Sequence, residues 1–180
     1  MPTAHRRNTA RPMRPPLRMA APVLLAACLA WTGAAQAACS GIGLTSCSAT
    51  VSAGAIAFGN YNPNAAGASA ATATISVTGT LVGIGLLNTI AYTVSLSAGS
   101  ASTVADRRLV GAGSLGYNLY TDSGHSTVWG TNTVSDSISV LAAVIGASVT
   151  RNYTVYGRIA PGQYVAPGAY ANTIVVTVTY

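Results

Sequence analysis

The closing stretch YTVYGRIAPGQYVAPGAYANTIVVTVTY, residues 153–180, decides the fold. From Thr173 onward, Ile174, Val176, Val178 and Tyr180 fall on one face and Thr173, Val175, Thr177 and Thr179 on the other. A period of two marks a half-buried strand, because successive Cβ atoms on an extended backbone point to opposite sides. The β-branched residues that fill it suit a pleated surface. The alternation runs to the last residue, so a strand with an edge that seeks a partner is expected here. Upstream, Val149, Tyr153, Val155 and Ile159 repeat the pattern, and the connection between the two strands, with Pro161-Gly162 and Pro167-Gly168, reads as turns.

Earlier segments follow the same rule. Ile75, Val77, Gly79 and Leu81 alternate with Thr74, Ser76, Thr78 and Thr80, and Ile90, Tyr92, Val94 and Leu96 form a second inward set. Leu115, Tyr117 and Leu119 make a third, Ile138 and Val140 a fourth, and residues 48–58 alternate with a break at Ala53-Gly54. Residues 141–149 are ambiguous, although Gly146 and the β-branched residues there favour strand or loop over helix. About seven strands between turn signals predict an all-β chain, a single immunoglobulin-like antiparallel β-sandwich.

Composition narrows the function. The net charge of +6 is concentrated at the start, where Arg6, Arg7, Arg11, Arg14 and Arg18 lie; beyond residue 37, four arginines face three aspartates. No basic surface remains of the kind on which nucleic-acid binding depends. Residues 1–37 read as an export signal: a basic region to Arg18, an apolar run over 19–31, and a small-residue site at Ala35-Gln36-Ala37 that predicts cleavage between Ala37 and Ala38. Met13 would begin a signal of more ordinary length. A competing reading takes Leu25-Ala26-Ala27-Cys28 as a lipoprotein signal, but the apolar run continues past Cys28, which favours simple secretion. Residues 38–180 are then one exported domain. Cys39 and Cys47 remain in it, and an even pair in an oxidising compartment predicts a disulfide that pins the N-terminus.

Catalytic chemistry finds little support. Lysine and glutamate are absent, and His125 is the one histidine beyond residue 37. Asp122-Ser123-Gly124-His125 has the residue types of a hydrolase triad, but neighbours on one tight turn do not reach relay geometry, so a polar hairpin tip is expected instead. Asp106-Arg107-Arg108 reads as a solvated loop. Tyr117, Tyr120, Trp129, Tyr153 and Tyr156 could form a sugar-stacking platform, against which stands the commoner use of strand aromatics as core or cross-strand pairs. No cofactor or metal site is expected, and no enzyme.

Phe58-Gly59-x-Tyr61-x-Pro63, Tyr117-Asn118-Leu119-Tyr120-Thr121-Asp122, Val128-Trp129-Gly130, Val155-Tyr156-Gly157-Arg158-Ile159, Pro161-Gly162-Gln163, Pro167-Gly168-x-Tyr170 and the closing Val176-Thr177-Val178-Thr179-Tyr180 occur in one order. Together they resemble the spore coat protein U domain, the domain of secreted subunits of archaic chaperone-usher pili, over residues 47–180. The resemblance implies a pilin-type fold lacking one strand, held by a periplasmic chaperone, passed to an outer-membrane usher, and completed by a strand from another pilus subunit, in the service of attachment and biofilm formation. Ile174, Val176, Val178 and Tyr180 would then be the pairing edge for subunit or chaperone. Two departures stand out. The family commonly places a cysteine where this chain has Gly79, and residues 38–46 offer a neighbour only Ile42 and Leu44. The alternative functions are a spore-coat or surface-layer structural protein and a periplasmic carbohydrate-binding module with a surface or glycan ligand.

Overall fold

A computed structural model of the protein describes residues 39–83, 87–141 and 146–180. The expected signal 1–37, with Cys28, Ala37 and the neighbouring Ala38, lies outside them. Nine strands are found among the described residues: β1 (Cys39–Gly41), β2 (Leu44–Ala53), β3 (Ser69–Gly83), β4 (Leu87–Leu96), β5 (Arg108–Val110), β6 (Ser114–Tyr120), β7 (Val134–Leu141), β8 (Ala147–Ile159) and β9 (Val176–Thr179). The sequence pattern predicts about seven; β1 and β5, three residues each, are too short to show an alternation.

The strands form two antiparallel sheets. One has the order β2-β3-β8-β6-β5; in the other, β4 carries β7 on one edge and both β1 and β9 on the other. Cys39 lies opposite Ile90 and Thr179 opposite Thr93, so β9 and β1 run in the same direction, end to end, along a single lane beside β4. The sheets face each other as an immunoglobulin-like sandwich. Ile75, Val77 and Leu81 of β3 meet Ile90, Tyr92, Val94 and Leu96 of β4, and all are buried. Each such aliphatic side chain is worth about 1.5–3 kcal/mol when withdrawn from water. The outward positions carry hydroxyls that bond along the rungs, Thr78 to Thr150 at 2.8 Å, Thr80 to Ser148 at 2.9 Å and Thr89 to Ser139 at 2.9 Å. A surface so made needs few charges to stay polar.

At Gly79 the facing sheet leaves no room for a side chain. A Cβ there would stand 2.9 Å from Ile138 Cδ1 and 3.3 Å from Ile90 Cδ1, which accounts for the missing side chain. Gly79 is paired with Ala49, whereas Cys47 is paired with Leu81 and bonded to Cys39, Cα to Cα 6.5 Å. The disulfide therefore ties β1 of one sheet to β2 of the other.

The Asp106-Arg107-Arg108 cluster is only partly the solvated loop expected of it. Arg108 pairs with Asp106 at 2.7 Å in the open, but Arg107 is wholly buried. Its Nε donates to Ser97 O at 2.9 Å, Nη1 to Asn118 Oδ1 at 2.9 Å, and Nη2 to Leu96 O at 3.2 Å and Trp129 O at 2.7 Å. Burial pulls its pKa below the ordinary arginine value. The cause of the miss is tertiary: a 3-10 turn at Val104–Asp106 covers the outer face of β6 and places the side chain beneath itself. Asn118, buried there too, completes the arrangement by donating to Ala105 O at 3.1 Å.

Candidate functional site

Strand β2 pairs with β3 on one side, β9 pairs with β4 on one side, and no described strand occupies the remaining edge of either. Past Ala53 the chain stays beside β3, with Gly54 N donating to Thr74 O at 2.9 Å, and then runs on through Ile56 and Phe58. Opposite it runs the segment 172–176. Between the two lies a cleft of about 390 Å³, bordered by Ile56, Phe58, Ile174 and Val176, with Leu96, Leu119 and Val155 at its base. A second hollow of about 780 Å³ continues it past Phe58 towards Tyr61, Val165 and Tyr170. Asn172 sits where the two meet, bonded to the Tyr117 hydroxyl at 3.0 Å and to Ser100 N at 3.1 Å.

The edge residues expected from the sequence share one face. Ile174, Val176, Val178 and Tyr180 are half-buried against the core while Thr173, Val175, Thr177 and Thr179 are exposed. Ile174 and Val176 line the cleft; Val178 lies further along, opposite Val94 of β4. Leu109, Ile56 and Asn172 also line it. Leu109 and Asn172 escaped the sequence reading because they belong to no alternating run, whereas Ile56 falls within the alternation of residues 48–58.

The chain matches the Spore Coat Protein U domain over residues 27–177. It is also 30% identical over 145 residues to Protein U of Myxococcus xanthus, covering 77% of this chain and 78% of that one. The chain belongs to the spore coat protein U domain family. Among solved structures, a chain in the CsuC-CsuE chaperone-tip adhesion subunit pre-assembly complex, from the archaic chaperone-usher Csu pili of Acinetobacter baumannii, is 18% identical with a TM-score of 0.48; 74% of this chain and 40% of that chain are covered.

The residues that carry the resemblance to the spore coat protein U domain build the walls of the cleft and the layer beneath it. Gly157 leaves room for Phe58, since a Cβ there would lie 2.7 Å from Phe58 Cζ, and the Phe58 ring meets Tyr117 edge-on at 5.8 Å. The Tyr61 hydroxyl donates to Ala160 O at 2.8 Å and accepts from Gln163 N at 2.9 Å. Gln163 in turn accepts from Gly116 N and donates to Gly116 O, both at 2.8 Å, and so stands in for a strand at that point of β6. Trp129 is buried, and its indole N–H donates to Val94 O at 3.0 Å.

The proposed sugar-stacking platform does not form as one surface. Tyr117 and Trp129 are core residues and Tyr153 is packed edge-on against Trp129 at 6.3 Å, whereas Tyr120 and Tyr156 lie on the outer face. Tyr117 and Tyr120 have opposite parity on one strand, which sends them to opposite sides. Asp122 spends its carboxylate on Ser126 N at 3.0 Å and Thr127 N at 2.8 Å, which holds it below the usual carboxylate range. The Asp122-Ser123-Gly124-His125 turn is thus a closed hairpin tip. Among the described residues no three His, Cys, Asp or Glu side chains gather as a metal ion would require.

Proposed function

We propose that this chain is a structural and adhesive subunit of a chaperone-usher pilus, exported through the periplasm to the cell surface, where it serves attachment and biofilm formation. The observation that carries the reading is the apolar cleft between the unpaired edges of β2, with its continuation, and β9. An open edge is a row of N–H and C=O groups that templates another strand, and a cleft with apolar walls accepts every second side chain of such a strand. A segment donated by a neighbouring subunit would supply both. A periplasmic chaperone would guard the same edge before transfer at an outer-membrane usher. Membership of the spore coat protein U domain family agrees with a structural role and gives no reason to expect catalysis or a cofactor.

The test is complementation in one chain. A C-terminal extension of roughly ten residues with apolar residues at alternate positions, about the span of a long strand, is expected to raise the unfolding midpoint and suppress aggregation. The same extension with aspartate at those positions is expected to do neither. A protein that is already a stable monomer, indifferent to both extensions, would overturn the reading.

A second reading, a coat or surface-layer protein that uses the same cleft without a pilus, is favoured by membership of the spore coat protein U domain family. Isolation from the periplasm separates the two: a bound chaperone supports the pilus, and self-association without one supports the coat.

A further inference from the structure

Beyond residue 38 the protein has seven charged side chains and one histidine, and they are not evenly spread. Arg107, Asp106 and Arg158 border a cleft of about 390 Å³ on the outer face of β6 and β8, opposite the side of the sheet that faces the core. Tyr120 lines it, and Gln163 closes one end with its amide already committed to Gly116. Tyr120 is paired across the strands with Tyr156, which shares its face with Arg158 two residues on. His125 stands over this pair, its ring perpendicular to Tyr120 at 5.1 Å and near-perpendicular to Tyr156 at 6.5 Å. It is held there in a left-handed backbone conformation, φ 56°, by a turn that Asp122 caps. The three rings form a fixed aromatic corner.

The charges beside that corner do not cancel. Asp106 is engaged by Arg108. Arg107 is satisfied by the Asn118 amide oxygen and main-chain carbonyls, with no carboxylate against it. Arg158 is exposed and makes no hydrogen bond or ion pair, alone among the arginines that border this cleft. An arginine fork matches a carboxylate bidentately, and aromatic rings offer an apolar surface on which the C–H face of a pyranose ring can pack. Clefts of this size with a few convergent polar groups are the usual form of a small-ligand site.

We infer that the outer face of β6 and β8 binds an acidic saccharide, a uronate unit set against the Tyr120, Tyr156 and His125 rings with its carboxylate on Arg158. This site lies on the other side of the sheet from the strand-accepting cleft and does not rest on the pilus reading.

Titration of the exported full chain with oligogalacturonate, beside a neutral glucan oligomer of equal length and a single-stranded DNA oligomer, tests it. Saturable binding of oligogalacturonate alone is expected. Arg158→Gln should weaken it about tenfold, as loss of a charge-assisted contact does, and Tyr156→Ser should weaken it comparably, while Arg151→Gln on the same strand leaves it unchanged. Equal loss in the Arg151 variant, or equal binding of the DNA oligomer, would reduce the effect to general charge and overturn the assignment. So would equal binding of the neutral glucan, or no oligogalacturonate binding by a wild-type chain shown to be folded.

Discussion

The buried Arg107 guanidinium donates to the Trp129 carbonyl at 2.7 Å, while the Trp129 indole donates to Val94 O at 3.0 Å. The pair fastens the non-strand segments before β5 and before β7 to the end of β4. A buried cation held by main-chain oxygens is stable only while every partner is in place. Arg107→Met would leave the carbonyls of Leu96, Ser97 and Trp129 without this donor. Each buried acceptor left without a donor costs about 1–3 kcal/mol, so a clear loss is expected in urea unfolding, and Arg107→Lys should not restore it, since an ammonium lacks the planar fork.

Phe58 depends on the absence of a side chain at Gly157. Gly157→Ala would bring a Cβ to 2.7 Å from Phe58 Cζ and 3.0 Å from Cε1. Overpacking of this kind costs about 1–3 kcal/mol. Phe58→Leu should relieve part of it, so the double variant is expected to be more stable than the sum of the single changes predicts. Strict additivity would show that the two positions are not in contact.

Residues such as Val77, Val94 and Leu119 were legible because each lies in a run whose period assigns it a side without knowledge of its neighbours. The two-sheet fold and the face of Ile174 and Val176 follow from that alone. Arg107 and Asn118 were not legible, since their burial comes from the turn at Val104–Asp106 folding over β6, a contact no local pattern encodes. The cleft itself is non-local as well. It exists because the edge of β2 comes to lie near that of β9, far away in sequence, and only the resemblance to the spore coat protein U domain anticipated it.

Acid and alkali should each weaken the fold through one cluster. The Tyr153 hydroxyl donates to Asp136 Oδ2 at 2.6 Å and is bonded to the Tyr92 hydroxyl. The Tyr153 hydrogen bond holds the Asp136 carboxyl below its ordinary value, so its contribution is present above the unfolded carboxyl pKa of about 3.9 and is lost as pH falls through the folded one. Burial, then the nearby carboxylate, pushes the Tyr153 phenol up, and burial raises Tyr92. Their contribution is present below the unfolded phenol pKa of about 10 and declines above it. Urea midpoints measured against pH should show both limbs, and Asp136→Asn should flatten the acidic one.

Reduction of the Cys39–Cys47 bond is expected to cost about 2–3 kcal/mol, since the loop it closes is short. The local effect should exceed the global one. With the clip gone, β1 is held to β4 by three residue pairs only, so the Thr89 amide, which faces β1 opposite Ser40, should exchange with solvent faster while those of Asn88 and Ile90, which face β7, do not. Intact-mass analysis of the exported protein checks the bond directly: no alkylatable thiol and no acyl group is expected, and a lipidated Cys28 would replace simple secretion with a membrane anchor.

Neighbouring residues of β9 should answer very differently to one charge. Val176 is half-buried and lines the cleft, while Thr177, the next residue, is exposed opposite Ser95. Val176→Asp removes apolar burial and sets a carboxylate in a cleft whose lining residues include no cation, a change expected to cost at least about 2 kcal/mol. Thr177→Asp places the same group in water and should stay within about 0.5 kcal/mol of the parent. The periplasmic yield of folded protein should therefore collapse for the first variant and hold for the second. A strand-length partner that binds the parent should also fail to bind whatever Val176→Asp protein survives, because the apolar wall it needs now bears a charge. Equal yield and equal partner binding for both variants would mean that this face neither packs on the core nor accepts a strand.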